Sequence, residues 1–205
     1  SIPILRFLSW GNCISNLREM KQKRIITEDF FVGNLGNPEA TQELIEACKS
    51  RSKPAPGGID ANNISDLAAR KCGVCWIDVT QSNFIEHGFK KIVSNINSMI
   101  WKFPVKNEWE ADLQYTTYTE GGDHYKWHVD NFKEDCSDRR ISIVYCLSKK
   151  SDYTGGEFDL RKKSNDQVYT TKFDYGDFIV FPSDTFHRVR PLKSGIRTTL
   201  VGWYR

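Results

Sequence analysis

The sequence feature that most limits the possible folds of this chain of 205 residues is the alternation of apolar and polar residues in its C-terminal half. From Glu110 onward hydrophobic residues recur at every second position in short runs, each of which predicts a strand. The runs are 112–119, 125–129, 140–147, 156–160, 167–173, 177–181 and 197–204. Turn-forming segments such as 120–123 and 175–177 separate them. Strands spaced so closely predict a barrel or jelly roll rather than alternating strands and helices.

Helical patterns precede these strands. Asn37, Pro38 and Glu39 are typical of a helix start, and apolar residues at helical spacing over 83–101 predict a second helix that packs on a sheet. The Pro- and Gly-rich stretch 52–63 predicts an exposed loop. We therefore expect a mainly β protein of the α+β class with one domain over 1–205. Its residues 1–110 would form a helical support and cleft-forming arm, and 111–205 a jelly-roll core.

Charge and composition exclude several classes of partner. The net charge of +3 is too small to predict a nucleic acid or a membrane surface as a partner, and no apolar run is long enough to span a membrane. A cytoplasmic protein is the expectation. Its six cysteines are too few for a disulfide scaffold. Cys72 and Cys75 form a CxxC pair without a second Cys or His pair, so we interpret them as thiols that pack within strands rather than as zinc ligands.

A candidate metal site is encoded by three residues. His128 and Asp130 are two positions apart, so a strand would point both side chains to one face. Such a pair also arises by chance on a surface, and a third ligand is needed to favour a site. His187 provides it, because it follows the apolar run 177–181 and a turn. Two histidines and one carboxylate are the donor set that leaves open positions on Fe(II).

An arginine after the second histidine indicates an anion. Arg197 and Thr199 would share the inner face of a strand that starts near 197. The alternative for a lone arginine is a surface salt bridge. A dicarboxylate that chelates the metal at one end and meets the guanidinium group at the other would satisfy both features, which describes 2-oxoglutarate.

With these residues in place, the sequence resembles the Fe(II)- and 2-oxoglutarate-dependent dioxygenases, and among them the prolyl 4-hydroxylase-like group. The resemblance covers about residues 112–205 and consists of the segments 114–118, 128–131, 140–148, 155–157 and 176–178, followed by His187, Pro191, Gly195, Arg197 and Trp203. It implies a double-stranded β-helix, a distorted jelly roll with N-terminal supporting helices. It also implies Fe(II), 2-oxoglutarate and O2 as cofactors and co-substrates, with ascorbate as a further cofactor.

The resemblance also implies roles for individual residues. His128, Asp130 and His187 would ligate iron, with no separate catalytic base. Arg197 would bind the distal carboxylate of 2-oxoglutarate, and the further co-substrate residues would be Thr199, Tyr118 and Gln114. One residue departs from the family pattern: Cys146 occupies the place where prolyl hydroxylases often carry a second tyrosine, and Tyr145 points to the opposite face.

The reaction implied is hydroxylation of a C–H bond, with 2-oxoglutarate converted to succinate and carbon dioxide. The expected substrate is a prolyl residue in a peptide or protein. The alternatives are a free amino acid or small metabolite, and, from another class, a non-catalytic jelly-roll binding module. Trp203 occupies the position where the nucleic-acid demethylases of the same superfamily carry a second arginine, so a nucleic-acid substrate is not expected. Substrate contacts are expected from Trp127, Asn131, Arg188, Arg190 and the segments 53–63 and 149–153.

Overall fold

Antiparallel strands make up most of the chain. The computed structural model describes residues 25–35, 46, 55–56, 66–78, 88–106, 112–132 and 136–205. The strands are β1 (Ile25–Ile26), β2 (Phe31–Asn34), β3 (Ala55–Pro56), β4 (Arg70–Lys71), β5 (Gly73–Asp78), β6 (Asp112–Thr119), β7 (His124–His128), β8 (Ile141–Cys146), β9 (Tyr153–Gly155), β10 (Phe158–Arg161), β11 (Val168–Thr170), β12 (Asp177–Pro182), β13 (His187–Val189) and β14 (Leu192–Tyr204). Helix α1 spans Lys90–Met99, and a short 3-10 helix spans Lys150–Asp152.

The strands form two sheets. The large sheet has the order β1-β2-β12-β8-β14-β6-β5-β3, with β9 paired to β14, and the small sheet has the order β11-β10-β13-β7-β4. Strands that are adjacent in sequence, such as β6 and β7 or β12 and β13, belong to different sheets. The chain therefore crosses repeatedly from one sheet to the other, as in a jelly roll, and the predicted fold class is confirmed.

Two hydrophobic clusters cover the two faces of the large sheet. Val93 and Ile96 of α1 lie in one cluster with Tyr145, Leu200 and Tyr204, so this helix covers one face. The second cluster joins the opposite face of the large sheet to the small sheet. It includes Val144, Cys146, Phe158, Leu160, Ile179 and Phe181. Alternate residues of β8 and β14 thus point to two different interiors.

Each of the seven predicted runs contains a strand, and the predicted helix over 83–101 is present as Lys90–Met99. The description of the N-terminal half as helical was wrong in one respect, because β1, β2, β4 and β5 from this half join the two sheets. β5 has neighbours on both sides and buries Val74, Cys75 and Ile77, so it does not show simple alternation. β9 and β13 were also missed, since three residues are too short for a period to be seen.

Three further predictions concern the N-terminal half. The helix predicted from Asn37 and most of the loop predicted over 52–63 lie outside the described residues; within that loop, β3 pairs with β5. Cys72 and Cys75 are buried free thiols that lie in different hydrophobic clusters, which agrees with their interpretation as packing residues. In the described part of the chain no helix has the length and hydropathy of a membrane span.

Candidate metal and co-substrate site

The two candidate histidine ligands are neighbours on the small sheet. His128 ends β7, His187 begins β13, and the two residues pair directly in the strand register. Their ring centroids lie 4.1 Å apart. His128 Nδ1 lies 2.7 Å from the Lys126 carbonyl oxygen, and His187 Nδ1 lies 2.9 Å from the Thr185 carbonyl oxygen. A carbonyl can only accept, so Nδ1 carries the proton on both rings and Nε2 keeps its lone pair for a metal.

Asp130 completes this group from the turn that follows β7. Its Oδ1 lies 3.6 Å from His128 Nε2 and 3.5 Å from His187 Nε2. The three ligand atoms lie within 4.8 Å of one another. The expectation that strand alternation alone would place Asp130 beside His128 was incomplete. Asp130 lies beyond the end of β7, and its N–H donates to the Ser183 carbonyl oxygen at 2.8 Å.

Hydrogen bonds and burial set the protonation of this group. Burial and the neighbouring His187 lower the pKa of His128 to about 3, so its ring is neutral near pH 7. For Asp130, burial alone would raise the pKa, but His187, His128 and the hydroxyl of Ser142 together lower it. At neutral pH the group therefore offers the neutral imidazole of His128 and the carboxylate of Asp130, together with the ring of His187. This donor set fits Fe(II) with open coordination positions.

Tyr125 packs on the ring of His128. The two ring centroids are 3.5 Å apart with an interplanar angle of 17°. The Arg70 guanidinium carbon lies 4.6 Å from the centre of the Tyr125 ring. Tyr125 and His128 are three positions apart, which would place them on opposite faces of a regular strand. The register between β7 and β13 shifts here, in the manner of a β-bulge, and both rings reach the interior.

Arg197 lies on the inner face of β14 and is 1% exposed. Its Nε and Nη2 atoms are buried and have no hydrogen-bond partner among the described residues, and its guanidinium carbon lies 5.3 Å from the centre of the Tyr118 ring. A buried cation with unpaired donors is unfavourable unless an anion meets it. These donors fit a carboxylate, so a surface salt bridge is excluded as the role of Arg197.

The other predicted co-substrate residues share this inner face. Tyr118 pairs with Arg197 in the register of β6 and β14, and Thr199 pairs with both Thr116 and Cys146. Gln114 lies farther along β6, opposite Val201, and its side-chain amide donates to Thr116 Oγ1 at 3.0 Å. Tyr118 and Thr199 thus lie nearer to Arg197 in the strand register than Gln114 does. Their binding of a co-substrate stays a prediction.

Cys146 and Tyr145 occupy the faces expected of them. Cys146 is buried in the cluster between the two sheets, and Tyr145 lies in the cluster on the helix side, where it meets the edge of Phe89. Sequence reasoning assigned no place at this site to Ser142, and it expected Tyr153 only within the substrate-contacting segment 149–153. Ser142 has the same strand parity as Cys146, which could have identified it.

The expected substrate contacts of Trp127, Arg188 and Arg190 lie elsewhere. The Trp127 ring lies 4.7 Å from the Arg188 guanidinium carbon, and Arg188 and Arg190 both donate to Asp159 Oδ2 at 2.7 Å. Arg188 alternates with His187 and Val189, which point inward, so this group lies on the outer face of the small sheet. It faces away from the three candidate ligands.

An aromatic surface lies next to Asp130 instead. The Arg139 guanidinium carbon lies 4.0 Å from the centre of the Trp203 ring, and Arg139 Nη1 donates to the Asp130 carbonyl oxygen at 3.1 Å. The Trp76 and Trp203 ring centroids are 6.1 Å apart, and Trp76 is 50% exposed. Trp76, Trp203 and Arg139 form what we call the aromatic ledge. Trp203 itself is buried, and the exposed indole of Trp76 suits the apolar part of a substrate.

Comparison with known proteins agrees with this geometry. Residues 113–205 match the family model of the 2OG-Fe(II) oxygenase superfamily. A PKHD-type hydroxylase of Synechococcus sp. strain CC9902 is 40% identical over 87 residues, which are 42% of this chain and 37% of that protein. A second PKHD-type hydroxylase, from Synechococcus sp. strain CC9311, is 32% identical over 120 residues, or 56% of this chain and 53% of that protein. The chain thus matches about half or less of these relatives' length.

Solved structures share the fold. A Trichoplax adhaerens prolyl hydroxylase, in complex with a peptide fragment of the hypoxia inducible factor oxygen degradation domain, superposes with a TM-score of 0.68 at 20% identity and covers 87% of this chain and 84% of its own. A Pseudomonas putida prolyl-4-hydroxylase gives a TM-score of 0.65 at 18% identity and covers 95% of this chain and 97% of its own. The predicted resemblance is confirmed, because residues 113–205 match the model of this superfamily and the two solved structures share the fold.

Proposed function

We propose that this protein is an Fe(II)- and 2-oxoglutarate-dependent dioxygenase that hydroxylates a prolyl residue in a peptide or protein. The observation that carries the proposal is the placement of two features within one interior. Three ligand atoms converge within 4.8 Å, and the unpaired donors of Arg197 lie in the same interior between the two sheets. A metal and an anion are the two components that 2-oxoglutarate chemistry needs, and a binding module requires neither.

His128, Asp130 and His187 would hold the iron, and Arg197 with Thr199 and Tyr118 would hold the distal carboxylate of 2-oxoglutarate. Bound iron and 2-oxoglutarate supply the oxidation of the C–H bond by O2, with succinate and carbon dioxide as co-products. The protein's own side chains then have three tasks. They fix the ligands, orient the target C–H bond, and keep water out of an interior lined by Phe181 and Val144. No side-chain base is needed.

A prolyl substrate is supported by the names of the relatives and by the aromatic ledge. The Trichoplax and Pseudomonas proteins are prolyl hydroxylases by name. In this chain, the ledge offers the exposed indole ring of Trp76 for a pyrrolidine ring and the guanidinium group of Arg139 for peptide carbonyls, and Arg139 lies directly beside Asp130. We also propose that residues 1–205 act as one domain, because β4 and β5 from the N-terminal half complete both sheets around the site.

The proposal is tested by anaerobic reconstitution with Fe(II), followed by admission of air and measurement of succinate formed from 2-oxoglutarate. A panel of proline-containing peptides should raise succinate formation, and mass spectrometry should find one added oxygen on proline. Trp76→Ala should raise the KM for the responsive peptide, and Trp127→Ala on the outer face is its control. Oxygen found only on a free amino acid would favour the small-molecule alternative. Metal binding without any binding or turnover of 2-oxoglutarate would favour the binding module.

A further inference from the structure

Tyr153 belongs to the segment 149–153, from which substrate contacts were expected, but the structure places it near Arg197 instead. We propose that the Tyr153 hydroxyl is the second donor to the distal carboxylate of 2-oxoglutarate, and that it replaces the tyrosine that is missing at position 146. The inference rests on the proposed function, because it assigns a residue to the co-substrate pocket of that reaction.

The backbone brings Tyr153 into this pocket from an unexpected strand. β9 pairs with β14, and Tyr153 lies opposite Gly195. Gly195 has a φ of +79°, and a β-carbon there would collide with the Asp152 carbonyl oxygen and with the Cα of Tyr153. Only glycine combines that backbone conformation with so close an approach. Tyr153 is buried, with 5% of its surface exposed. Its partner Gly195 lies two residues before Arg197 on β14.

The contacts of the hydroxyl leave it available as a donor. It interacts electrostatically with the Arg197 guanidinium group, and Tyr153 packs in one buried cluster with Cys146. The Cys146 thiol donates its own proton to the Ser148 carbonyl oxygen at 3.3 Å, so its sulfur is left as the acceptor for Tyr153. Sulfur is a weak acceptor, and a carboxylate oxygen would bind the hydroxyl more strongly. Burial raises the pKa of Tyr153 to about 12, which keeps the proton on its oxygen near pH 7.

Arg197 and Tyr153 together match the needs of one carboxylate. Arg197 Nε and Nη2 lack an acceptor, and a carboxylate has two oxygens with about four acceptor positions. A guanidinium fork and one hydroxyl would occupy most of them. Gly156 supports this arrangement, because a β-carbon there would lie 3.1 Å from Arg197 Cδ and press on the arginine stem.

The small thiol at position 146 fits the same arrangement. Cys146 is fully buried and in contact with Tyr153, so a tyrosine at 146 would need the volume that the Tyr153 ring occupies. The cysteine therefore leaves room for a hydroxyl that arrives from β9 instead of β8. The pocket keeps its donor and changes only the strand that supplies it.

The test measures binding rather than turnover. The Mn(II)-loaded protein would be titrated calorimetrically with 2-oxoglutarate and with 2-oxobutyrate, which has the same metal-chelating end but no distal carboxylate. Tyr153→Phe removes only the hydroxyl. We expect it to weaken 2-oxoglutarate binding about tenfold or more, as for a hydrogen bond to a charged group, and to leave 2-oxobutyrate binding unchanged. Tyr169→Phe, on a partly buried ring that stacks on Phe30 with centroids 4.4 Å apart, is the matched control and should change neither.

Three results would overturn the inference, and they are distinguishable. Equal affinity of wild type and Tyr153→Phe for 2-oxoglutarate would reject Tyr153 as a ligand and leave the proposed function intact. Equal weakening of both ligands would assign Tyr153 a purely structural role. Failure of the metal-loaded wild type to bind 2-oxoglutarate at all would reject the proposed function and this inference with it. A thermal midpoint of Tyr153→Phe close to that of wild type ensures that the comparison concerns folded protein.

Discussion

Ser142 Oγ lies 2.6 Å from Asp130 Oδ2, and this hydrogen bond joins the large sheet to the candidate iron site. The Ser142 hydroxyl also meets Ser183 Oγ at 2.9 Å, and the Ser183 carbonyl accepts the Asp130 N–H. Both the backbone and the carboxylate of Asp130 are therefore held. Oδ2 is occupied by Ser142, which leaves Oδ1 directed toward the two histidine Nε2 atoms.

Ser142→Ala should weaken Fe(II) binding. Without the hydroxyl, the carboxylate of Asp130 can rotate, and loss of such a partner of a metal ligand lowers metal affinity by about tenfold or more. Anaerobic equilibrium dialysis would measure the change. Ser98→Ala removes a hydroxyl that donates to the Ser94 carbonyl on the exposed side of α1 and serves as the control. An unchanged iron affinity in Ser142→Ala would show that the ligand is positioned by the backbone alone.

Asp130→Ala should abolish iron binding and iron-dependent turnover while the fold persists. The substitution removes the only carboxylate among the three candidate ligands, and two imidazoles cannot form the facial triad. Bound iron and the far-ultraviolet circular dichroism spectrum would be measured on the same sample. Asp184→Ala is the control, because its side chain is 53% exposed and pairs with Lys163 in the turn before His187. Turnover equal to wild type in Asp130→Ala would reject the metal assignment.

Arg197→Met should separate stability from function. In the absence of a carboxylate, the buried Nε and Nη2 donors are unpaired, and methionine fills a similar volume without them. We expect the free energy of unfolding of the co-substrate-free protein to rise by about 1 to 3 kcal/mol. Binding of 2-oxoglutarate should fall by at least a hundredfold. Urea unfolding and calorimetric titration would measure the two effects, and a variant that loses stability would show that Arg197 has a structural partner.

Asp159→Asn should destabilise the protein without changing iron affinity. Asp159 is buried, its Oδ2 accepts from both Arg188 and Arg190, and the group lies on the outer face of the small sheet. Both arginines are partly exposed, so the loss should lie at the low end of the range for breaking a buried ion pair. We expect the free energy of unfolding to fall by about 3 kcal/mol at pH 7. Urea unfolding would measure the loss. Lower iron affinity would contradict the outer placement of this group.

The same residue predicts a pH dependence. Burial alone would raise the pKa of Asp159, but hydrogen bonds from Arg190 and Arg188 outweigh it and hold the pKa below 3.8. Because the folded pKa lies below the unfolded one, the stabilisation is complete above about pH 4 and is lost as the pH falls through the folded pKa. The difference in urea midpoint between wild type and Asp159→Asn should therefore be constant from pH 7 to 5 and shrink at lower pH. A constant difference down to pH 2 would reject the ion pair as its cause.

Residue types and local periodicity predicted the chemistry of this protein. Alternation over 112–119 and 177–181 fixes which side chains share a face, so β6 and β12 were located almost to the residue. His128, Asp130, His187 and Arg197 were selected by the kind of atom each offers, and the structure brings the three candidate ligands together. Both properties are local, because a strand's pleat and a side chain's donor atoms are written in a short stretch of sequence.

The tertiary structure decided what local patterns cannot contain. The bulge before His128 turned Tyr125 inward and left Trp127 on the outer face, and the carbonyl of Ser183 positioned Asp130 beyond the end of its strand. Tyr153 reached Arg197 because β9 pairs with β14 at Gly195. Each of these contacts joins segments that are distant in sequence or departs from the regular pleat. Such contacts depend on how the two sheets meet, and only the folded chain fixes that geometry.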